Sequence, residues 1–233
     1  NTHGTVQLFT PDTGVLRAII EAQLITDLKT AADSVLGATL LAHPDSKHLV
    51  IVGAGVVAKN LARAYRALFP SLEQVSIWAR RVEKAQALCD QLGDLGIAVR
   101  ALSDLPTALA SADIVASATQ AQSPILRGEW IRPGTHIELV GAFTPTMREA
   151  DDALIAASAL YVDCHATTHH IGEIAAPIAS GAISPTHLRG DLYELVAHPP
   201  HLRTEHDITV FKNGGGAHLD VMVADSLLKK LGL

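Results

Sequence analysis

The chain has 233 residues, 48% hydrophobic and 18% charged, with a formal net charge of −6. That balance excludes a disordered or fibrous chain and leaves no basic surface for nucleic acid or an anionic membrane. The two cysteines, Cys89 and Cys164, form no metal or redox spacing, which points to a reducing, cytoplasmic setting.

The apolar runs are broken by Gly, Asp or Lys before they reach membrane-spanning length. The opening NTHGTVQLF has neither the basic nor the apolar region of a signal peptide. GTVQLFTPDTGVLRAII reads as a hairpin: an alternating strand, a Pro-Asp-Thr-Gly turn and a second strand. A lone hairpin is marginal, so further sequence upstream of Asn1 is expected. A helix follows over Thr26 to Ala42, then the HPDSKH loop and the short apolar strand HLVIVGAG. VVAKNLARAYRALF has helical periodicity and stops at Pro70-Ser71.

Next come the strand QVSIWAR, the helix VEKAQALCDQLGDLG, and AVRAL, LPTALASA and DIVASAT as strand, helix and strand. HIELVGA, EADDALIAASA and LYVD continue the alternation, and the tail is a strand, a glycine turn and an amphipathic helix. Short apolar strands alternating with helices predict an α/β chain, a Rossmann-type doubly wound parallel sheet with helices on both faces.

Chemistry enters at Gly53-Ala54-Gly55-Val56-Val57-Ala58, a G-x-G-x-x-A motif placed after a strand and opening a helix. Gly53 allows the tight turn, Gly55 lets a pyrophosphate approach the backbone, and Ala58 permits close helix–strand packing. An NAD site usually carries an acid about 20 residues beyond the glycines, to hold the ribose hydroxyls. Here the strand ends in Ala79, Arg80 and Arg81. Two guanidiniums suit a 2′-phosphate, which favours NADPH over NADH; surface arginines at a strand end are the plain alternative.

Ser117, Ala118 and Thr119 put small residues at another strand end, where a nicotinamide ribose has room to lie, or where the strand simply packs. The strand through Val140 ends in the turn GAFTPTMRE, which presents Phe143, Thr144, Thr146 and Arg148. Open α/β sheets bind ligands beyond the carboxyl ends of their strands, so this turn is expected to face the reactive end of the cofactor. Arg148 and Glu149 are expected to form a local ion pair at a helix start, with Glu149 favourable to the helix dipole.

Taken together, TDLKTAADSVLGATLLA, IVGAGVVAKNLARAY, VSIWARRVEKA, EWIRPGTHIELVGAFTPTMREADDAL and GDLYELV…ITVFKNGGGAHLD resemble the ornithine cyclodeaminase/μ-crystallin family. The matches run in order across essentially the whole chain. The resemblance implies a Rossmann domain joined to a smaller α+β substrate and dimerisation domain. Residues 1–27 would belong to the latter, 28–214 to an NADP-binding unit, and 215–233 to a C-terminal helix returning to the first. It also implies an upstream segment carrying a catalytic lysine and a carboxylate-binding arginine, and a homodimer.

Residue by residue, the family's R-T-A-A becomes Lys29-Thr30-Ala31-Ala32, so Lys29 stands where an arginine helps hold the substrate carboxylate. Lys29 keeps the charge without the bidentate fork; a helix-start lysine facing solvent is the alternative. Arg80 matches the arginine of NADPH-binding, μ-crystallin-like members. Asn213 takes a position that is commonly serine near the nicotinamide, ahead of Gly214 to Gly216. Asp220 on the last helix reads as structural, a cap or an ion-pair partner, with contact to substrate as the alternative.

In ornithine cyclodeaminases the strand before this turn ends in an aspartate that assists water attack on an iminium. The aligned residue here is Phe143, and a phenyl ring cannot orient or deprotonate water. The implied activity is reduction of a ready-made C=N bond in a cyclic imino acid, such as Δ1-pyrroline-2-carboxylate to L-proline, or Δ1-piperideine-2-carboxylate to L-pipecolate. Phe143 would lie against the substrate ring or fill a domain interface. Two rival classes are an ammonia lyase of the cyclodeaminase type and a non-catalytic NADPH-binding protein. His165 and His169 have an i, i+4 spacing, but Thr167 and Thr168 weaken a helix there, and no metal is expected.

Overall fold

The computed structural model describes residues 3–199 and 206–233, so the first two residues of the expected 1–27 segment lie outside it. β1 (Thr5–Phe9) and β2 (Leu16–Glu21) form the expected antiparallel hairpin, with Thr5 opposite Glu21. Its turn is closed by Thr10 and Val15 and needs Gly14 at φ +67°.

α1 (Ala22–Leu41) starts directly at the end of β2, one turn earlier than the Thr26 expected from sequence. No breaker separates β2 from α1; tertiary packing sets the start, because Ile25 is buried with Leu8, Ala224 and Leu228. The helix therefore runs unbroken through residues 27 and 28.

β3 (His48–Val52), α2 (Val56–Leu68), β4 (Gln74–Trp78), α3 (Val82–Gln91) and β5 (Ala98–Leu102) follow as expected, except that α3 stops before its glycines. α4 (Leu105–Ala110) is N-capped by Asp104, and β6 (Ile114–Ser117) and β7 (His136–Leu139) come next. α5 (Asp152–Ala157) is capped by Asp151, and β8 (Ala159–Val162) closes this stretch.

Four elements carried no sequence expectation or a weak one. α6 (His165–Thr168) forms despite its threonines, because Thr167 and Thr168 bond back to the Cys164 carbonyl. α7 (Gly172–Ala179), β9 (Leu188–Asp191) and α8 (Leu192–Ala197) follow, the last opened by an Asp191–Glu194 capping box. β10 (Thr209–Lys212) and α9 (Ala217–Leu231) complete the chain.

The large sheet is parallel throughout, in the order β5-β4-β3-β6-β7-β10-β8-β9. One face packs α1, α2 and α3 through Leu61, Tyr65, Leu49 and Ile77; the other packs α4 and α5 through Val50, Val115, Ile137 and Leu154. Burying each such side chain stabilises the fold by about 1.5–3 kcal/mol. α1 lies flush on β10, since a Cβ at Gly37 would come within 2.9 Å of the Phe211 ring. α9 returns to the hairpin and the start of α1, where Ala224 and Leu228 meet Leu8 and Ile25.

Candidate functional site

The order of the sheet creates the site. Strands run outward from β3 toward β5 on one side and from β6 toward β9 on the other, so the connections diverge between β3 and β6. At such a switch point the carboxyl ends of the strands border an open crevice. Gly53 ends β3 there, with its N–H on the Trp78 carbonyl at 2.8 Å. Its φ of +125° and a virtual Cβ 2.5 Å from the Ala118 carbonyl oxygen leave room for no other residue.

Gly55 is the N-cap of α2, and no atom lies within 4 Å of the Cβ it lacks. α2 has no side-chain cap and no acid in its first turn. Its first N–H groups, beside exposed Val56 and half-buried Val57, are therefore donors facing an open approach. Ala58 is fully buried behind them and half-buried Ala54 lines the turn. Arg80 and Arg81 project from the end of β4 and are exposed, with no ion pair to another described residue. This donor set fits a dinucleotide carrying a further phosphate: oriented N–H groups for the pyrophosphate and two free cations at the next strand tip.

Along β6 and β7 the structure divides the expected contacts. Ala118, Thr119 and Val140 stay partly exposed just beyond the ends of β6 and β7. Ser117 does not: it is fully buried, and its hydroxyl donates to Glu149 Oε1 at 2.7 Å. The expected Arg148–Glu149 pair is also absent. Arg148 instead pairs with Asp152 at 2.7 Å and donates to the Ala150 carbonyl.

Glu149 is turned inward and fully buried. Its Oε1 accepts from the Thr119 N–H at 2.7 Å and the Thr119 hydroxyl at 2.8 Å as well as from Ser117, and its Oε2 accepts from the Gly141 N–H at 2.6 Å. Burial pushes its carboxyl up, opposed by Lys212 and by these donors. In sequence, an acid just before a helix resembles a surface residue; only the fold of the turn brings it under two strand ends.

Two more buried charges support it. Glu173, from α7, accepts the backbone N–H groups of Glu149 at 2.7 Å and Ala150 at 2.9 Å, and burial raises its carboxyl to about 7. Lys212, fully buried at the end of β10, donates to the carbonyls of Leu139 at 2.8 Å and Asn213. Burial lowers its ammonium, while Glu149, Glu173, Asp163 and Glu138 hold it up. Asp163 accepts from the N–H groups of Cys164, Gly214 and Gly215, which fixes the glycine turn.

Asn213 turns inward too. Its amide donates to Ser34 Oγ at 2.9 Å and the Thr30 carbonyl at 3.3 Å, so its side chain ties β10 to α1. Lys29 is neither at a helix start nor facing solvent. It lies well inside α1 with its side chain 14% exposed, paired with Asp220 at 2.6 Å. Phe143 stands out from the turn, 58% exposed, and the Thr144 carbonyl accepts the Gly172 N–H, which joins the turn to α7. His165 lies near Glu194 at 3.6 Å, and among the described residues no three His, Cys, Asp or Glu side chains are grouped as metal ligands.

Known proteins share both this sequence and this architecture. The chain is 55% identical over 228 residues to the Delta(1)-pyrroline-2-carboxylate reductase of Paracoccus denitrificans, covering 97% of this chain and 72% of that protein. It is 37% identical to the ketimine reductase mu-crystallin of Mus musculus, covering 94% of this chain and 67% of that one. The solved Delta(1)-pyrroline-2-carboxylate reductase of Thermococcus litoralis, in complex with NADH and L-proline, superposes with a TM-score of 0.92 at 30% identity. That match covers 98% of this chain and 72% of that one. With the glycine turn, the crevice and a family profile matching residues 1–231 in agreement, the chain belongs to the ornithine cyclodeaminase/mu-crystallin family.

Proposed function

We propose that the protein reduces a cyclic ketimine, Δ1-pyrroline-2-carboxylate to L-proline, and also the six-membered homologue, Δ1-piperideine-2-carboxylate to L-pipecolate. The observation that carries this reading is that no carboxylate among the described residues is available at the tip of β7. Phe143 is exposed there, and each acid of the following stretch is engaged. Glu149 binds two strand ends, Asp151 caps α5, and Asp152 pairs with Arg148. A lyase that hydrolyses an iminium needs a base for water; reduction does not. The named activities of the Paracoccus and Thermococcus relatives support the same choice.

The nicotinamide, when bound, supplies a hydride. Conversion of the C=N bond to the secondary amine would take up that hydride at carbon and one proton at nitrogen, the proton coming from solvent. This chain's part is positional. The first turn of α2 holds the pyrophosphate, and Ala118, Thr119 and Val140 form the surface beside the ring. Phe143 offers an apolar wall to the five- or six-membered ring, with Thr144 beside it. Lys29, oriented by Asp220, supplies positive charge for the substrate carboxylate.

NADPH is the preferred cofactor because Arg80 and Arg81 are free to bind a 2′-phosphate, with NADH accepted more weakly. The working form is a cytoplasmic homodimer that acts on a small cyclic imino acid. No helix among the described residues is long and apolar enough to cross a membrane.

The test is to incubate the complete polypeptide with NADPH and Δ1-pyrroline-2-carboxylate while following loss of reduced-cofactor absorbance. Ammonia release from ornithine without net cofactor change would return the protein to the lyases. NADPH binding without turnover of any cyclic ketimine would make it a binding protein.

A further inference from the structure

Four hydrogen bonds converge on one fully buried carboxylate where β6 and β7 end, and they are unevenly divided. Three reach Oε1 of Glu149, all from the β6 side: the Ser117 hydroxyl, the Thr119 N–H and the Thr119 hydroxyl. One reaches Oε2 from the β7 side, the Gly141 N–H at 2.6 Å. The two strand ends also touch directly, since a Cβ on Gly141 would overlap the backbone of Thr119.

Phe143 and Thr144 lie just beyond Gly141, and Thr119 itself borders the crevice. Glu149 cannot drift, because Glu173 holds its backbone N–H and that of Ala150. Lys212 supplies the compensating charge and is itself fastened to the Leu139 and Asn213 carbonyls.

We propose that Glu149 is a positioning residue for the reduction: its carboxylate clamps the tip of β6 to the tip of β7. The clamp fixes the Phe143–Thr144 turn relative to the crevice floor at Ala118 and Thr119. No atom of Glu149 reaches the crevice, so it acts only through the segments it holds. A carboxylate suits the site because each of its oxygens faces a backbone N–H that can only donate, Thr119 at Oε1 and Gly141 at Oε2, and an ionised acid accepts at both while also taking the two hydroxyls. The kinetic part of the proposal rests on the reductase reading above; the clamp does not.

The discriminating variant is Glu149→Gln in the complete polypeptide. Its amide oxygen keeps the three β6 donors, while its NH2 group meets the Gly141 N–H donor to donor. Flipping the amide would let the Ser117 and Thr119 hydroxyls turn and accept from the NH2 group but would set it against the Thr119 N–H, so either orientation opposes one backbone N–H. Amide hydrogen exchange should therefore speed up at Gly141, or at Thr119 if the amide flips, and not at both. Losing one charge-assisted bond and opposing two donors corresponds to a fall in kcat of about 10- to 100-fold. NADPH affinity, read by fluorescence titration, should change by less than about 3-fold, because the α2 turn is untouched. The isotope effect with 4-deuterated NADPH should rise as hydride transfer becomes slower.

An unchanged kcat would overturn the positioning role, and faster exchange at both Gly141 and Thr119 would overturn the clamp in favour of general loosening. If the parent itself fails to reduce any cyclic ketimine, the reductase reading falls and takes the kinetic claim with it. The exchange pattern would then still decide whether the clamp exists.

Should Glu149→Gln not fold, Ser117→Ala combined with Thr119→Val tests the clamp from the β6 side. That pair strips two hydroxyls from Oε1 and keeps both backbone bonds. It should speed exchange at Thr119, leave Gly141 unchanged, and lower kcat by about 10-fold. An unchanged kcat, or exchange that speeds up equally at Thr119 and Gly141, would refute the proposal.

Discussion

Replacing Asp33 with asparagine should stabilise this protein at alkaline pH and make no difference in acid. Asp33 lies one turn beyond Lys29 on α1, only 4% exposed, and neither carboxylate oxygen finds a hydrogen-bond partner among the described residues. Burial raises its pKa from 3.8 to about 7; Asp163 adds to the rise, while Lys212 and Lys29 oppose it. The folded protein thus keeps a proton that the unfolded chain has already released, and stability falls as pH rises from about 4 to about 7.

A shift of this size amounts to roughly 4 kcal/mol, present in full below the unfolded pKa and lost once the folded group ionises. An asparagine side chain would carry no charge to bury and would place donors near acidic neighbours. Urea unfolding at pH 4, 6 and 8 should show an advantage for Asp33→Asn near zero at pH 4. It should grow to about 2–4 kcal/mol at pH 8, the lower end allowing for the attraction of Lys29 and Lys212 that is lost. A gain equal at every pH, or none at pH 8, would refute the assignment of a destabilising buried carboxylate.

Other outcomes follow from single contacts. Arg80→Ala should weaken NADPH by about 10- to 100-fold in fluorescence titrations and leave NADH nearly unchanged, since only the 2′-phosphate loses a charged partner. Gly53→Ala should lower the thermal midpoint and abolish cofactor binding, because the added Cβ has nowhere to go but the Ala118 carbonyl at 2.5 Å, and the φ of +125° is strained as well. Phe143→Ala should raise KM for the cyclic imine by about 5- to 20-fold through lost apolar contact, with NADPH affinity preserved. A loss confined to cofactor binding would instead place Phe143 away from the substrate.

The alternation of short apolar strands with helices was enough to identify the doubly wound sheet, because its central strands are buried on both faces and its helices on one. The glycine turn was equally legible, because G-x-G-x-x-A between a strand and a helix is a sequence pattern, although the contact that bars a side chain at Gly53, the Ala118 carbonyl, is tertiary. The Asp191–Glu194 capping box was visible in GDLYELV, and its D-x-x-E spacing could have located α8. The missing acid at Phe143 also needed no structure, because it is a single position at a recognisable strand end.

What the sequence could not disclose was the direction of polar side chains. Glu149 reads as a helix-start acid beside Arg148, Ser117 as a small residue at a ligand surface, and Asn213 as a group near the nicotinamide. All three point inward in the fold. Lys29 and Asp220 are far apart in sequence and become an ion pair only when α9 returns against α1. The strands and the glycine turn are recognised by periodicity and by spacing, which are local. The partners of a buried charge depend on which distant donors the chain brings within hydrogen-bonding distance, and only tertiary structure decides that.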